Sequence, residues 1–124
     1  MGLCANLCRT RSSTRFNFLG DAQEKRVREL VKELPEAIVL PCDVSKDEQI
    51  ESFYNSIQKQ WDSIDFIIHS VAFTEKENLK DKFMVVTRES FTSTLDISAY
   101  SLLAVTRAAL PLMKKGGSVI TMSY

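Results

Sequence analysis

Apolar and polar residues alternate along this chain in blocks that switch between two periods, and the switches mark out its elements. Arg15-Phe16-Asn17-Phe18-Leu19 reads as a short strand and stops at Gly20. Asp21 then stands at a helix start with Glu24 three residues on, the capping-box spacing, and Val27, Leu30, Val31 and Leu34 follow at i, i+3, i+4 and i+7 on an otherwise charged segment. Pro35 ends that helix. Ala37-Ile38-Val39-Leu40-Pro41 predicts a second strand, and Cys42-Asp43-Val44 leads from it into another helix, where Ser45 and Glu48 again stand at capping-box spacing. On this helix Ile50, Phe53, Tyr54, Ile57 and Trp61 share one face, a stripe that reads as packing on a sheet and carries no cofactor role.

Phe66-Ile67-Ile68-His69-Ser70-Val71-Ala72-Phe73 is an apolar β run that breaks into a turn of small and polar residues. Two β-branched isoleucines suit a strand buried on both faces. His69 and Ser70 put the first polar atoms at its carboxyl end, where open parallel α/β sheets bind their ligands. Residues 74–86 are charged and hold no period, which predicts a long loop. Thr87 is placed to cap a long helix with Glu89 in its first turn and Phe91, Leu95, Leu102, Val105, Ala109 and Leu110 along it. Its middle, Asp96-Ile97-Ser98-Ala99-Tyr100-Ser101, is rich in small and hydroxyl side chains, so neighbours can approach closely there. Pro111 and Gly116-Gly117 close the helix, and Ser118-Val119-Ile120-Thr121-Met122 is a last strand. The order β-α-β-α-β-loop-α-β predicts an α/β fold of three αβα layers around a parallel sheet with right-handed crossovers, which Rossmann-like and flavodoxin-like sheets both satisfy.

Composition narrows the class. The 124 residues amount to one domain at most, with zero net charge, 44% hydrophobic and 26% charged residues, the profile of a soluble globular protein. Bulk electrostatics give no reason to expect nucleic acid as a partner. Residues 1–20 carry Arg9, Arg11 and Arg15 with no acid, so the amino terminus is compositionally separate. Residues 1–14 are therefore read as a leader, either a transit peptide or a non-homologous, unpacked terminus, ahead of a domain over residues 15–124. Cys4, Cys8 and Cys42 make neither a disulfide framework nor a zinc site, and a reducing, cytoplasmic setting follows by default. No uninterrupted apolar run approaches the ~20 residues of a membrane span.

Five motifs in order carry a resemblance: Leu40-Pro41-Cys42-Asp43-Val44, His69-Ser70-Val71-Ala72-Phe73, Val86-Thr87-Arg88-Glu89-Ser90-Phe91, Asp96-Ile97-Ser98-Ala99-Tyr100-Ser101, and Gly116-Gly117-Ser118-Val119-Ile120-Thr121-Met122-Ser123-Tyr124. Together they resemble the NADH-type enoyl-acyl-carrier-protein reductases, a divergent branch of the short-chain dehydrogenase/reductase family. The resemblance runs from about Phe16 to Tyr124. Ordinary short-chain dehydrogenases carry Asn-Asn-Ala-Gly where this chain has His69 to Ala72, which favours the reductase branch.

The resemblance implies reduction of the enoyl-acyl-carrier-protein double bond in fatty-acid biosynthesis. It implies NADH as cofactor, with NADPH the alternative, an enoyl thioester of acyl carrier protein as substrate, and a homo-oligomer for the intact enzyme. Asp43 and Val44 match the pair that holds adenine, although Asp43 also reads as a helix-start residue. Ser70, Val71 and Ala72 match the turn beneath the ribose and pyrophosphate; relatives often carry Gly at the Ala72 position, and alanine there requires φ to stay negative. Ile97 matches an apolar contact on the adenine side, or is simply core. Phe73 and Thr74 match the start of the substrate-side loop, and Tyr124 the first of two active-site tyrosines. His69 has no metal-ligand partner and reads as a strand-end hydrogen-bonding histidine, so no metal is expected.

Two parts of the family pattern do not occur in these residues. Before residue 116 the only glycines are Gly2 and Gly20, so no glycine-rich phosphate turn fits, and the Tyr-x6-Lys pair of the implied mechanism is missing. The expected sheet is therefore an incomplete doubly wound Rossmann-like sheet, lacking the family's first strand and its carboxyl-terminal part. No catalytic residue is assigned, and the 124 residues alone are expected to be inactive, or to act as an interaction fragment through helix 88–110. In the 3-2-1-4-5 order a missing first strand leaves a slot of roughly 10 Å in mid-sheet. The halves close up, the leader fills the slot, or the chain folds poorly.

Overall fold

The computed structural model describes residues 5–9, 14–18, 21–34, 37–80 and 82–122, with side chains from residue 24 onward. Strands β1 (Ala5–Arg9), β2 (Thr14–Phe18), β3 (Ile38–Pro41), β4 (Phe66–Ser70) and β5 (Ser118–Thr121) form one sheet in the order β3-β2-β1-β4-β5. Residues 5–9, within the segment expected to be a leader, form a strand that occupies the central slot. It pairs antiparallel with both neighbours, while β2 and β3, and β4 and β5, pair in parallel. Four strands run one way and β1 alone runs the other.

The reversal follows from chain length. Between Arg9 and Thr14 there are four residues, enough for a hairpin and far short of the dozen or more that a parallel crossover needs. Register sets Ala5 opposite Ser70 and Arg9 opposite Phe66, so the amino end of β1 stands at the carboxyl edge of β4. A strand of the opposite direction would end there and could pass into a phosphate-binding helix start; β1 cannot.

Helices α1 (Asp21–Leu30) and α2 (Asp47–Gln58) follow β2 and β3. After β4 come two short 3-10 turns, Lys76–Leu79 and Phe83–Val85, inside the segment expected to be a plain loop. The long helix is three pieces: α3 (Arg88–Leu95), a π-helical segment Asp96–Tyr100, and α4 (Ser101–Ala109), with a 3-10 turn Leu110–Leu112 at its end. The link β2-α1-β3 steps outward from mid-sheet one way, and β3-α2-β4 and β4-α3/α4-β5 step the other way. Right-handed crossovers therefore put α1 on one face and α2 with α4 on the other, giving three layers.

The two faces have separate cores. Val27 and Val31 of α1 pack with Ala37 and Val39. The larger cluster joins Ile50, Phe53, Tyr54 and Ile57 of α2, Ile67 of β4, and Ala104, Val105 and Ala109 of α4, with Trp61 packed against it. Arg88–Leu112 is long and apolar enough to cross a membrane by length and composition, but Ser101, Ala104, Val105, Ala109 and Leu112 of that run are buried in the domain. The α1 and α2–α4 layers do not cover β4 equally. Ile67 and His69 are buried, whereas Phe66, Ile68 and Ser70 are only half-buried. The strand expected to be buried on both faces is thus fully buried on one, because among the described residues α1 packs on β2 and β3.

Two capping expectations part company. Thr87 Oγ1 accepts from the Ser90 N–H at 3.1 Å, as its position predicts. Ser45 does not cap α2: Lys46 is the cap residue and makes no side-chain cap bond. The hydroxyl of Ser45 donates instead to Asp43 Oδ1, a nearer carboxylate acceptor. The side chain of Asp21 lies outside the described residues, and Glu24 pairs with Arg28 at 2.6 Å.

Candidate functional site

β3 and β4 end at the same edge of the sheet, and the residues that follow them are built in different ways. After β3, Asp43 closes a tight turn on itself. Its Oδ1 accepts from the Ser45 N–H at 2.9 Å and the Ser45 hydroxyl at 2.7 Å, its N–H donates to Gln49 Oε1 at 2.8 Å, and its carbonyl accepts from the Lys46 N–H at 3.0 Å. This is the helix-start role that Asp43 can fill by itself. Both side-chain bonds fall on Oδ1, and Asp43 is half-buried. Val44 is buried and lines a cleft of about 290 Å³ with Ser45, Lys46, Asp47, Glu48, Asp96 and Tyr100. The cleft lies between the start of α2 and the π-helical segment.

After β4, the chain is stitched to that same π-helical segment. The Phe73 N–H donates to Ser98 Oγ at 3.0 Å, and the Ser98 hydroxyl donates back to the Phe73 carbonyl at 3.2 Å. Val71 is buried, Ser70 and Ala72 are half-buried, and no non-glycine residue described has positive φ, so Ala72 meets the condition set for it. Ile97 is half-buried against the main core. Thr74 Oγ1 accepts from Thr94 Oγ1 and from Asn78 Nδ2, each at 3.2 Å, and Asn78 Nδ2 also donates to Ser90 Oγ. The start of the 74–86 segment is thereby tied to α3.

His69 sits beneath this turn, 1% exposed. Its Nε2 is 2.8 Å from Ser101 Oγ, and its Nδ1 is 3.4 Å from Thr121 Oγ1. The hydroxyl proton of Ser101 is committed to the Ile97 carbonyl at 2.6 Å, so Ser101 Oγ accepts from His69 Nε2–H. Nδ1 is then the acceptor, facing the Thr121 hydroxyl of β5. Burial holds the imidazole below its ordinary pKa of 6.5, and a backbone hydrogen bond opposes this more weakly. A neutral His69 therefore joins β4, β5 and the start of α4, the hydrogen-bonding role its place at a strand end predicts. Among the described residues no group of three His, Cys, Asp or Glu side chains could hold a metal.

The edge thus sets Val44 and the Ser70–Phe73 turn against one small-residue helix segment that contains Ile97, with Asp43 directly before Val44. A family model described as enoyl-(acyl carrier protein) reductase matches residues 10–124. The chain belongs to that family. It is 45% identical over 101 residues to the NADH-type enoyl-[acyl-carrier-protein] reductase FabI of a Nostoc species, covering 82% of this chain and 39% of the relative. It is 39% identical over 124 residues to FabI of Aquifex aeolicus, covering 99% of this chain and 46% of the relative. Among solved structures, the enoyl-(acyl-carrier-protein) reductase of Anaplasma phagocytophilum in complex with NAD superposes with a TM-score of 0.80 at 34% identity, over 89% of this chain and 42% of that one. The chain spans less than half the length of these relatives.

Within this reductase framework the Rossmann-like expectation stands and the flavodoxin-like one falls. Of the residues assigned by resemblance, all but Tyr124 lie within the described part; Tyr124 lies outside it. Sequence reading did not single out Ser98, Ser101, Asn78 or Tyr100. The signal for the first two was the pair of serines three apart in Asp96–Ser101, which was read only as room for close approach.

Proposed function

We propose that these residues form the adenine-side half of the site of an enoyl-acyl-carrier-protein reductase, which reduces the enoyl double bond with NADH in the cytoplasm. The observation that carries this is that one π-helical segment meets both loops: its Asp96 and Tyr100 line the cleft with Val44, and its Ser98 bonds Phe73 at the end of the Ser70–Phe73 turn. Asp43 Oδ2 accepts from the adenine amine, the Val44 N–H donates to a ring nitrogen, and Ile97 adds an apolar contact. Ser70, Val71 and Ala72 let the backbone pass close beneath ribose and pyrophosphate, and Phe73 and Thr74 open the substrate side, to which the resemblance also assigns Tyr124. NADH supplies the hydride when bound; these residues bind and orient it. Neither a glycine-rich turn nor a Tyr-x6-Lys pair occurs in the 124 residues, so they offer no cradle for the pyrophosphate and no acid for the enolate oxygen. The antiparallel β1 supports the first point, since no helix starts from it at the site edge.

The test is a chimera in which residues 15–124 replace the matching segment of the Aquifex aeolicus relative. The chimera should oxidise NADH when an enoyl thioester is present, and Asp43→Ala should raise the KM for NADH about tenfold with little change in kcat. A folded chimera without turnover refutes the proposal. The 124 residues alone should show no turnover.

A second reading rests on the helix surface. Phe91, Leu95, Leu103 and Leu110 are 47–60% exposed along Arg88–Leu110, an apolar strip suited to docking on reductase subunits as a homo-oligomer does. Co-elution of the labelled chain with an intact relative supports it, and separate elution refutes it.

A further inference from the structure

The π-helical segment Asp96–Tyr100 has a job that the nucleotide reading does not assign. A π turn inserts one extra residue into a helix and shifts every side chain after it by about a third of a turn, and such bulges concentrate at functional sites. Ser98 within it bonds the backbone of Phe73, and Ser101, the first residue after it, bonds the ring of His69. The Ser98 contact is two-sided. One hydroxyl reads both the N–H and the carbonyl of Phe73, so it fixes the orientation of the residue that closes the Ser70–Phe73 turn and begins the segment tied down through Thr74.

The cleft side of the same segment, Asp96 and Tyr100, faces the start of α2. One π turn therefore meets both halves of the candidate site. Ser98 is partly solvent-exposed, as is Phe73, so water competes for this pair and the fully buried Ser101–His69 bond is the stronger anchor for stability. A contact at an exposed turn that restrains both polar groups of one residue contributes little to folding and much to local order.

We propose that Ser98 is a positioning residue, which acts through Phe73 to hold the Ser70–Phe73 turn in the form that receives the nucleotide. This rests on the nucleotide reading above. The experiment uses the 124-residue chain, its Ser98→Ala variant and its Ser98→Thr variant, followed by amide resonances. In Ser98→Ala the Phe73 amide should exchange with solvent at least about tenfold faster, while the Met122 amide, which donates to the His69 carbonyl at 2.9 Å, keeps its rate. Ser98→Thr should restore the Phe73 rate.

Titration with millimolar NADH, which registers even weak binding, should shift the amides of Asp43–Ser45 and of Ser70–Phe73 in the parent chain. In Ser98→Ala the first group should still shift and the second should not. An unchanged Phe73 exchange rate, or a Ser70–Phe73 response to NADH that survives Ser98→Ala, overturns the proposal. An absence of NADH shifts at both groups in the parent chain overturns the nucleotide reading instead, and Phe73 exchange still decides whether Ser98 holds the turn.

Discussion

Removing the Ser101 hydroxyl tests the buried network beneath the site. Ser101 is fully buried, donates to the Ile97 carbonyl at 2.6 Å and accepts from His69 Nε2–H at 2.8 Å. Ser101→Ala leaves that N–H buried with no partner, which costs about 1–3 kcal/mol, and removes a donor from Ile97 worth about 0.5–1.5 kcal/mol. The higher helix propensity of alanine returns about 0.5 kcal/mol. The net expectation is a loss of about 2 kcal/mol. Thr106→Ala on the same helix is the control, because its hydroxyl donates to the Leu102 carbonyl at 2.7 Å and no third group depends on it. That variant should lose no more than about 0.5 kcal/mol once propensity is counted. Urea unfolding of both variants, with equal m-values, measures the difference. If the two lie within about 0.5 kcal/mol of each other, the Ser101–His69 bond is not the buried, committed contact described.

His69 also sets a pH dependence. Its folded pKa lies below the ordinary 6.5 because burial disfavours the cation, so the unfolded chain takes up its proton first as pH falls. Stability from this group is full above about pH 6.5 and declines as pH drops from there towards the folded value; a His69→Gln variant should show a flatter Tm profile over that window. At the β4–β5 start, a Cβ on Gly117 would sit 2.6 Å from the Asp65 carbonyl oxygen, the acceptor of the Ser118 N–H that opens the strand pair. Gly117→Ala should cost more than about 2 kcal/mol by overpacking. Gly116→Ala meets no atom within 4 Å and suffers only from φ of +77°, about 1 kcal/mol, so thermal melts should rank Gly117→Ala as the worse. Thr87→Ala should lose about 1 kcal/mol with the cap of α3, whereas Ser45→Ala should lose less, since Ser45 serves Asp43 and not α2; urea midpoints order the pair.

Local patterns alone determined most of the elements. The apolar spacing of Ile50, Phe53, Tyr54 and Ile57 places α2 and its buried face, and Thr87 marks the start of α3, because helix periodicity and capping are short-range properties. Five ordered motifs were enough to identify the reductase family, since each preserves side chains at a strand end or helix turn. What only the tertiary structure decided depends on contacts between distant segments. Ser45 lost its capping role to a carboxylate two residues away. Two serines in a run of small residues became stitches, Ser98 of the π turn to the turn after β4 and Ser101 at the start of α4 to β4 itself, because a π turn has no period that marks it in advance. The central slot of the sheet was filled by strand Ala5–Arg9, whose direction was set by a four-residue connection, and that direction puts its amino end where a reductase sheet would deliver a phosphate-binding helix start.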